Sequence, residues 1–181
     1  TLIHLSFNTP KGEFSFPVNL IIPKKTSPSS LFLHIAFRPD VPDRYFPVEE
    51  IIDSGFAAVS FCYQDVAPDL DDGFSGGLAA MYAGEKRLPD EWSKISMWAW
   101  AASRVMDYLQ TREDINRERI AVVGHSRLGK TALWCAAQDD RFAVGISNES
   151  GCSGAAISRD KEGERVKEII DRFEYWFCDN Y

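Results

Sequence analysis

Arg119-Ile-Ala-Val-Val-Gly-His-Ser-Arg-Leu-Gly-Lys-Thr-Ala-Leu-Trp134 is the stretch that decides the fold. An apolar run of strand length ends at Gly124, and helix-forming residues resume after Ser126. Ser126 is therefore expected at the tip of a strand-to-helix turn, where nucleophilic serines are displayed. Gly124 to Thr131 also spells G-x-x-x-x-G-K-T, a phosphate-loop pattern. Two chemistries compete for one motif.

A phosphate loop wraps backbone N–H groups round the phosphates, with a lysine and a hydroxyl completing the anion and magnesium contacts. Lys130 and Thr131 suit those two roles. The residues between the glycines are His, Ser, Arg and Leu, with no further glycine to ease the wrap, and the next strand ends without an aspartate for magnesium. A nucleophile elbow needs a glycine two residues before the serine, and Gly124 supplies it. A small residue is normally wanted two after; that position holds Leu128, and Gly129 comes one place late.

Outward from the motif, strands alternate with helices. Leu2–Asn8 and Glu13–Ile22 read as an antiparallel hairpin at a sheet edge, joined by Thr9-Pro10-Lys11-Gly12. Leu31–Phe37 reads as a strand buried on both faces, Pro47–Asp53 as a short helix and Phe56–Tyr63 as the next strand. Gln64–Asp90, rich in Asp, Gly and Pro, reads as a long surface loop. Helical spacing of Ile95, Trp98, Ala102, Val105, Met106 and Leu109 makes Glu91–Gln110 the strongest helix. Phe142–Ser147 reads as a short strand and Glu162–Phe173 as a charged amphipathic helix. The expected fold is one α/β domain over residues 1–181, a mostly parallel sheet flanked by helices with an N-terminal antiparallel hairpin.

The chain has 181 residues, 45% apolar and 26% charged, with a net charge of −7. That balance, without a basic aromatic stripe, argues against nucleic acid or an anionic membrane as partner. No run approaches the roughly 18 apolar residues of a membrane span. Cys62, Cys135, Cys152 and Cys178 form no C-x-x-C pair, so buried free thiols are expected. Asp69, Asp71 and Asp72 suggest a calcium loop, but Gly73 stands at its fifth position and no glutamate at its twelfth. Neither metal nor cofactor is expected.

Gly-x-Ser-Arg-x-Gly-Lys, followed by Glu149-Ser150-Gly151 and Gly154 to Ala156, resembles the glucuronoyl esterase family of α/β-hydrolases. The likeness runs from about Arg119 to Ala156, with weaker likeness over Asp65 to Asp107 and at Trp176-Phe177. It implies that Ser126 is the nucleophile, that Arg127 helps hold the oxyanion, that Lys130 contacts sugar hydroxyls and that Glu149 is the triad acid. Glu164, in Gly-Glu-Arg, is a further sugar-contact candidate; a charged helix face explains it equally well. The fungal branch carries cysteine just before the serine, where this chain has His125, so the likeness is to bacterial members. The resemblance implies a secreted enzyme acting on a glucuronate ester of hemicellulose, with a cytoplasmic location as the alternative.

An acetylxylan or acetyl esterase, a phosphate-loop nucleotide-binding protein and a non-catalytic carbohydrate-binding module are the rival readings. A serine hydrolase of this order needs a histidine after the acid, yet His4, His34 and His125 all precede Glu149. The expectation is an α/β-hydrolase core incomplete at its C-terminal side, inactive alone, with the histidine outside the chain.

Overall fold

The computed structural model describes residues 1–82, 84, 86–160 and 162–181. Six strands form one mixed sheet. β1 (Leu2–Thr9) and β2 (Gly12–Ile21) make the antiparallel hairpin, and β1 lies at the sheet edge. β3 (Ser29–Ala36), β4 (Ala57–Cys62), β5 (Ile115–His125) and β6 (Val144–Asn148) follow, giving the order β1-β2-β4-β3-β5-β6. β2 pairs antiparallel with β4, whereas the β4-β3-β5-β6 block is parallel throughout. Long crossovers are what permit parallel neighbours, and each one here carries helix.

α1 (Val48–Asp53) joins β3 to β4. α2 (Tyr63–Val66), α3 (Gly77–Tyr82) and α4 (Lys94–Leu109) lie between β4 and β5. α5 (Arg127–Gln138) links β5 to β6, and α6 (Val166–Phe173) leads into a single 3-10 turn, Glu174–Trp176.

The main core forms where α4 and α5 pack on the sheet. All six apolar positions that predicted α4 are buried, and the Trp98 indole donates to the Ala67 carbonyl at 2.9 Å. That bond satisfies the one polar atom of a fully buried tryptophan and anchors the chain leaving α2. On the opposite face, α1 and Phe46 cover Ala58, a smaller core cluster.

Two expectations change. Gln64–Asp90 is not simply a surface loop, because α2 and α3 fall within it and bury Val66, Leu78 and Ala79; Ala83 and Glu85 lie outside the described residues. Helices of four and six residues are too short for a periodic signal. The strand read as buried on both faces is also only partly so. Phe32 is half-buried and borders a cavity of about 330 Å³ lined also by Ile51 of α1, Val123 and Ile146.

Candidate active site

The C-terminal ends of parallel strands are where open α/β sheets bind ligands, and β5 ends at His125 with Ser126 next. Ser126 has φ 55° and ψ −124°, a backbone conformation rare for any residue but glycine. Such a conformation costs about 1–3 kcal/mol and persists only when its surroundings hold it. Here the Ser126 N–H donates to Asn148 O at 2.9 Å, and Ser126 O accepts from Lys130 N–H at 3.1 Å. The turn is thus pinned to β6 on one side and to the first turn of α5 on the other.

Two glycines make room for it. A Cβ on Gly124 would lie 2.0 Å from Leu128 O. A Cβ on Gly129 would lie 2.9 Å from Asn148 O and 3.1 Å from Gly124 O. Leu128 is fully buried, so the close approach of helix to strands falls on Gly129. The late glycine is therefore a working part of the elbow.

The phosphate-loop reading fails on the same geometry. Thr131 Oγ1 donates to Arg127 O, so the hydroxyl required for magnesium is turned back onto its own helix, and Lys130 Nζ points to Ser150 O after β6. Moreover, α5 begins at Arg127, which leaves no loop between the glycines to wrap a phosphate.

Arg127 is the first residue of α5, and first-turn N–H groups have no intrahelical acceptor. They and the helix dipole favour negative charge at this point. The Arg127 guanidinium lies 5.6 Å from the Phe37 ring centroid and 5.1 Å from that of Trp176. Its Nη1 donates to Asp69 Oδ2 at 2.7 Å and to the Tyr63 hydroxyl at 3.2 Å.

Asp69 was legible only as a weak calcium candidate, and its carboxylate is occupied otherwise. Besides Arg127, it accepts from the Tyr63 hydroxyl at 3.0 Å, the Tyr175 hydroxyl at 3.2 Å and the Trp176 indole at 2.7 Å. Burial and the neighbouring Asp69 charge push both phenols up to about 12, so at neutral pH they remain O–H donors. Asp72 is likewise engaged, by Lys94 Nζ at 2.8 Å and by the backbone N–H groups of Phe74 and Gly76 at 3.0 Å.

Lys130 is buried, and desolvation holds its ammonium below the usual lysine range while the charge of Glu164 works the other way. Lys130 Nζ and Glu164 Oε2 both come within 4 Å of the point where a Gly151 side chain would begin. Gly151 has φ 63°. Cation and carboxylate thus flank a bare stretch of backbone directly after β6. Glu149 follows β6 with φ 45° and is exposed, and its carboxylate has no hydrogen-bond partner among the described residues.

Among the described residues none of the three histidines hydrogen-bonds Ser126. His4 is exposed on the edge strand, opposite Pro17. The His125 ring stacks on Tyr45 at 5.4 Å, with Nδ1 3.1 Å from Asn148 Nδ2. His34 is buried and stacked on Phe46 at 4.9 Å, and burial lowers its pKa to about 4.

That last value carries a stability consequence. The unfolded chain binds a proton at His34 near pH 6.5 while the native chain resists it, so native stability falls as pH drops from 6.5 towards 4. His34 is expected to remove about 2 to 3 kcal/mol between pH 7 and pH 4. Urea titrations of wild type and His34→Gln across that range check this; the variant should lose less stability on acidification. The four cysteines are free; Cys62, Cys135 and Cys152 are buried and Cys178 is half-buried.

The family described as "Glucuronyl esterase, fungi" matches residues 6–180. The chain is 42% identical to "Carbohydrate esterase MZ0003" from an unknown prokaryotic organism, over 74% of this chain and 32% of that protein. It is 32% identical to "4-O-methyl-glucuronoyl methylesterase 1" of Phanerochaete chrysosporium, over 93% of this chain and 36% of that protein. Among solved structures, a CE15 glucuronoyl esterase from Teredinibacter turnerae superposes with a TM-score of 0.87 at 29% identity, over 99% of this chain and 48% of that one. The chain therefore spans about a third of the length of these curated relatives and about half of the solved one. With its mixed sheet, its Ser126 elbow and these matches, the chain belongs to the glucuronoyl esterase family and has the α/β-hydrolase type of fold.

Proposed function

We propose that the natural polypeptide carrying this chain hydrolyses glucuronate esters of plant hemicellulose by serine acyl transfer. The observation that carries this reading is the conformation of Ser126, held at φ 55° between β5 and α5. The nature of the relatives supports the acyl group, since one is named a 4-O-methyl-glucuronoyl methylesterase.

The chemistry runs as follows. Ser126 Oγ attacks the ester carbonyl as its proton passes to a histidine outside these 181 residues, and Glu149 orients that histidine. The developing oxyanion lies against the Arg127 backbone N–H and guanidinium. Collapse expels the alcohol, which takes the proton back from the histidine, and water then releases the glucuronate by the same route. Lys130 retains donors beyond the one given to Ser150 O and offers them to sugar hydroxyls, while Glu164 accepts from the same sugar. With no histidine of its own on Ser126, the isolated 181-residue chain is expected to be inert.

The reading is tested by comparing kcat/KM on methyl 4-O-methyl-glucuronate with that on acetylated xylan. At least about a tenfold preference for the glucuronate ester is expected, the discrimination of one charged-group hydrogen bond. Equal rates or a preference for acetyl would remove the acyl assignment. Lys130→Met should raise KM by roughly 10-fold with kcat nearly unchanged, the signature of an interaction made equally in ground and transition states. Steady-state kinetics on the glucuronate ester check it.

A further inference from the structure

We propose that Asp69 is a positioning residue of this site: it fixes which end of the Arg127 guanidinium faces the nucleophile. The proposal rests on Arg127 acting at the oxyanion, as read above. A carboxylate offers about four lone-pair sites. All four of those on Asp69 are filled, by Tyr63 and Arg127 on Oδ2 and by Tyr175 and Trp176 on Oδ1. Its side chain is only 10% exposed. A carboxylate held at both oxygens cannot rotate, so the position of Arg127 Nη1 is set by Tyr63, Tyr175 and Trp176 acting through it.

The remaining guanidinium nitrogens differ in kind. Nε is buried without a partner, an unfavourable arrangement that the Asp69 ion pair and the two ring contacts must offset. Nη2 is not among the buried unpartnered atoms and makes no hydrogen bond among the described residues. Asp69 therefore takes Nη1, the Phe37 and Trp176 faces fix the plane, and Nη2 is left as the free donor. A free arginine side chain carries about 2 kcal/mol of rotamer entropy. Removing that freedom before substrate arrives is preorganisation, the condition under which an oxyanion donor is most effective.

Charge and position make opposite predictions. If Asp69 merely neutralised Arg127, Asp69→Asn would leave more positive charge beside the oxyanion and raise kcat. As a positioning residue, its loss frees the guanidinium and lowers kcat.

The experiment is a double-mutant cycle on the natural polypeptide, read as kcat and KM on methyl 4-O-methyl-glucuronate with thermal melts alongside. Arg127→Ala should lower kcat by about 100-fold, the usual loss for one oxyanion donor, and Asp69→Asn by about 10-fold. The double variant should match Arg127→Ala alone, because Asp69 acts only through Arg127. Tyr175→Phe removes one hydroxyl and keeps the fold should Asp69→Asn not; its smaller kcat loss should likewise vanish in the Arg127→Ala background. Losses that multiply in the double variants would show a merely structural role and overturn the proposal while leaving the ester reading intact. A rise in kcat for Asp69→Asn would also overturn it. Ester hydrolysis unaffected by Ser126→Ala would instead remove the reading on which it rests.

Discussion

Ser126→Ala is expected to lower ester hydrolysis by the natural polypeptide by about 10⁵-fold or more, the scale seen when a serine nucleophile is removed. The melting temperature should stay nearly unchanged. The substitution takes away only Oγ, while the bonds that hold the turn use the Ser126 backbone: its N–H to Asn148 O and its carbonyl from Lys130 N–H. Alanine tolerates the positive φ no better and no worse than serine, so the strain at φ 55° is common to both proteins. Activity and stability should therefore separate cleanly. A residual rate above the uncatalysed one would reflect Arg127 and sugar binding, which remain in the variant.

Gly124→Ala should do the reverse and damage the fold first. Its added Cβ would stand 2.0 Å from Leu128 O, 2.4 Å from Leu128 C and 3.0 Å from Gly129 N. All three are backbone atoms of the first turn of α5, so no side-chain rotation relieves the contact. Either α5 is pushed off β5, or the elbow at Ser126 opens. The expected cost is about 4 kcal/mol or more, at the upper end for single substitutions. Urea denaturation of the variant checks it, together with loss of activity in any fraction that folds. A loss under about 1 kcal/mol would mean that the elbow is looser than this packing implies.

The contrast between these residues also shows what was legible beforehand. The elbow is local: strand, turn and helix are adjacent in sequence, and Gly124 announces the tight approach two residues ahead. α4 was equally plain, because its 16 residues show the helical period more than four times over. Asp69 was not. Its partners Arg127, Tyr175 and Trp176 lie 58, 106 and 107 residues away, and no local pattern connects a loop aspartate to them. In the sequence it is one of three aspartates within four residues with calcium-like spacing, and only the fold shows that it meets Arg127.

The glycine after Leu128 is an intermediate case. The departure from the usual small-residue position could be seen, but not its consequence. α5 meets β6 at Gly129, against Asn148 O and the Ser150 side chain, while Leu128 turns into the core. Spacing alone gives positions along the helix, and the crossing point depends on how α5 lies over the sheet. The sugar-contact pair was half legible in the same way. Lys130 is one turn from Ser126, but that Glu164 approaches it across Gly151 follows from the fold after β6.

The most direct test of the central claim is rapid-quench mass spectrometry of the natural polypeptide turning over methyl 4-O-methyl-glucuronate. Serine acyl transfer predicts a transient glucuronoyl adduct on the peptide that contains Ser126, absent from Ser126→Ala. Full turnover with no adduct, or with an adduct on another residue, would contradict it.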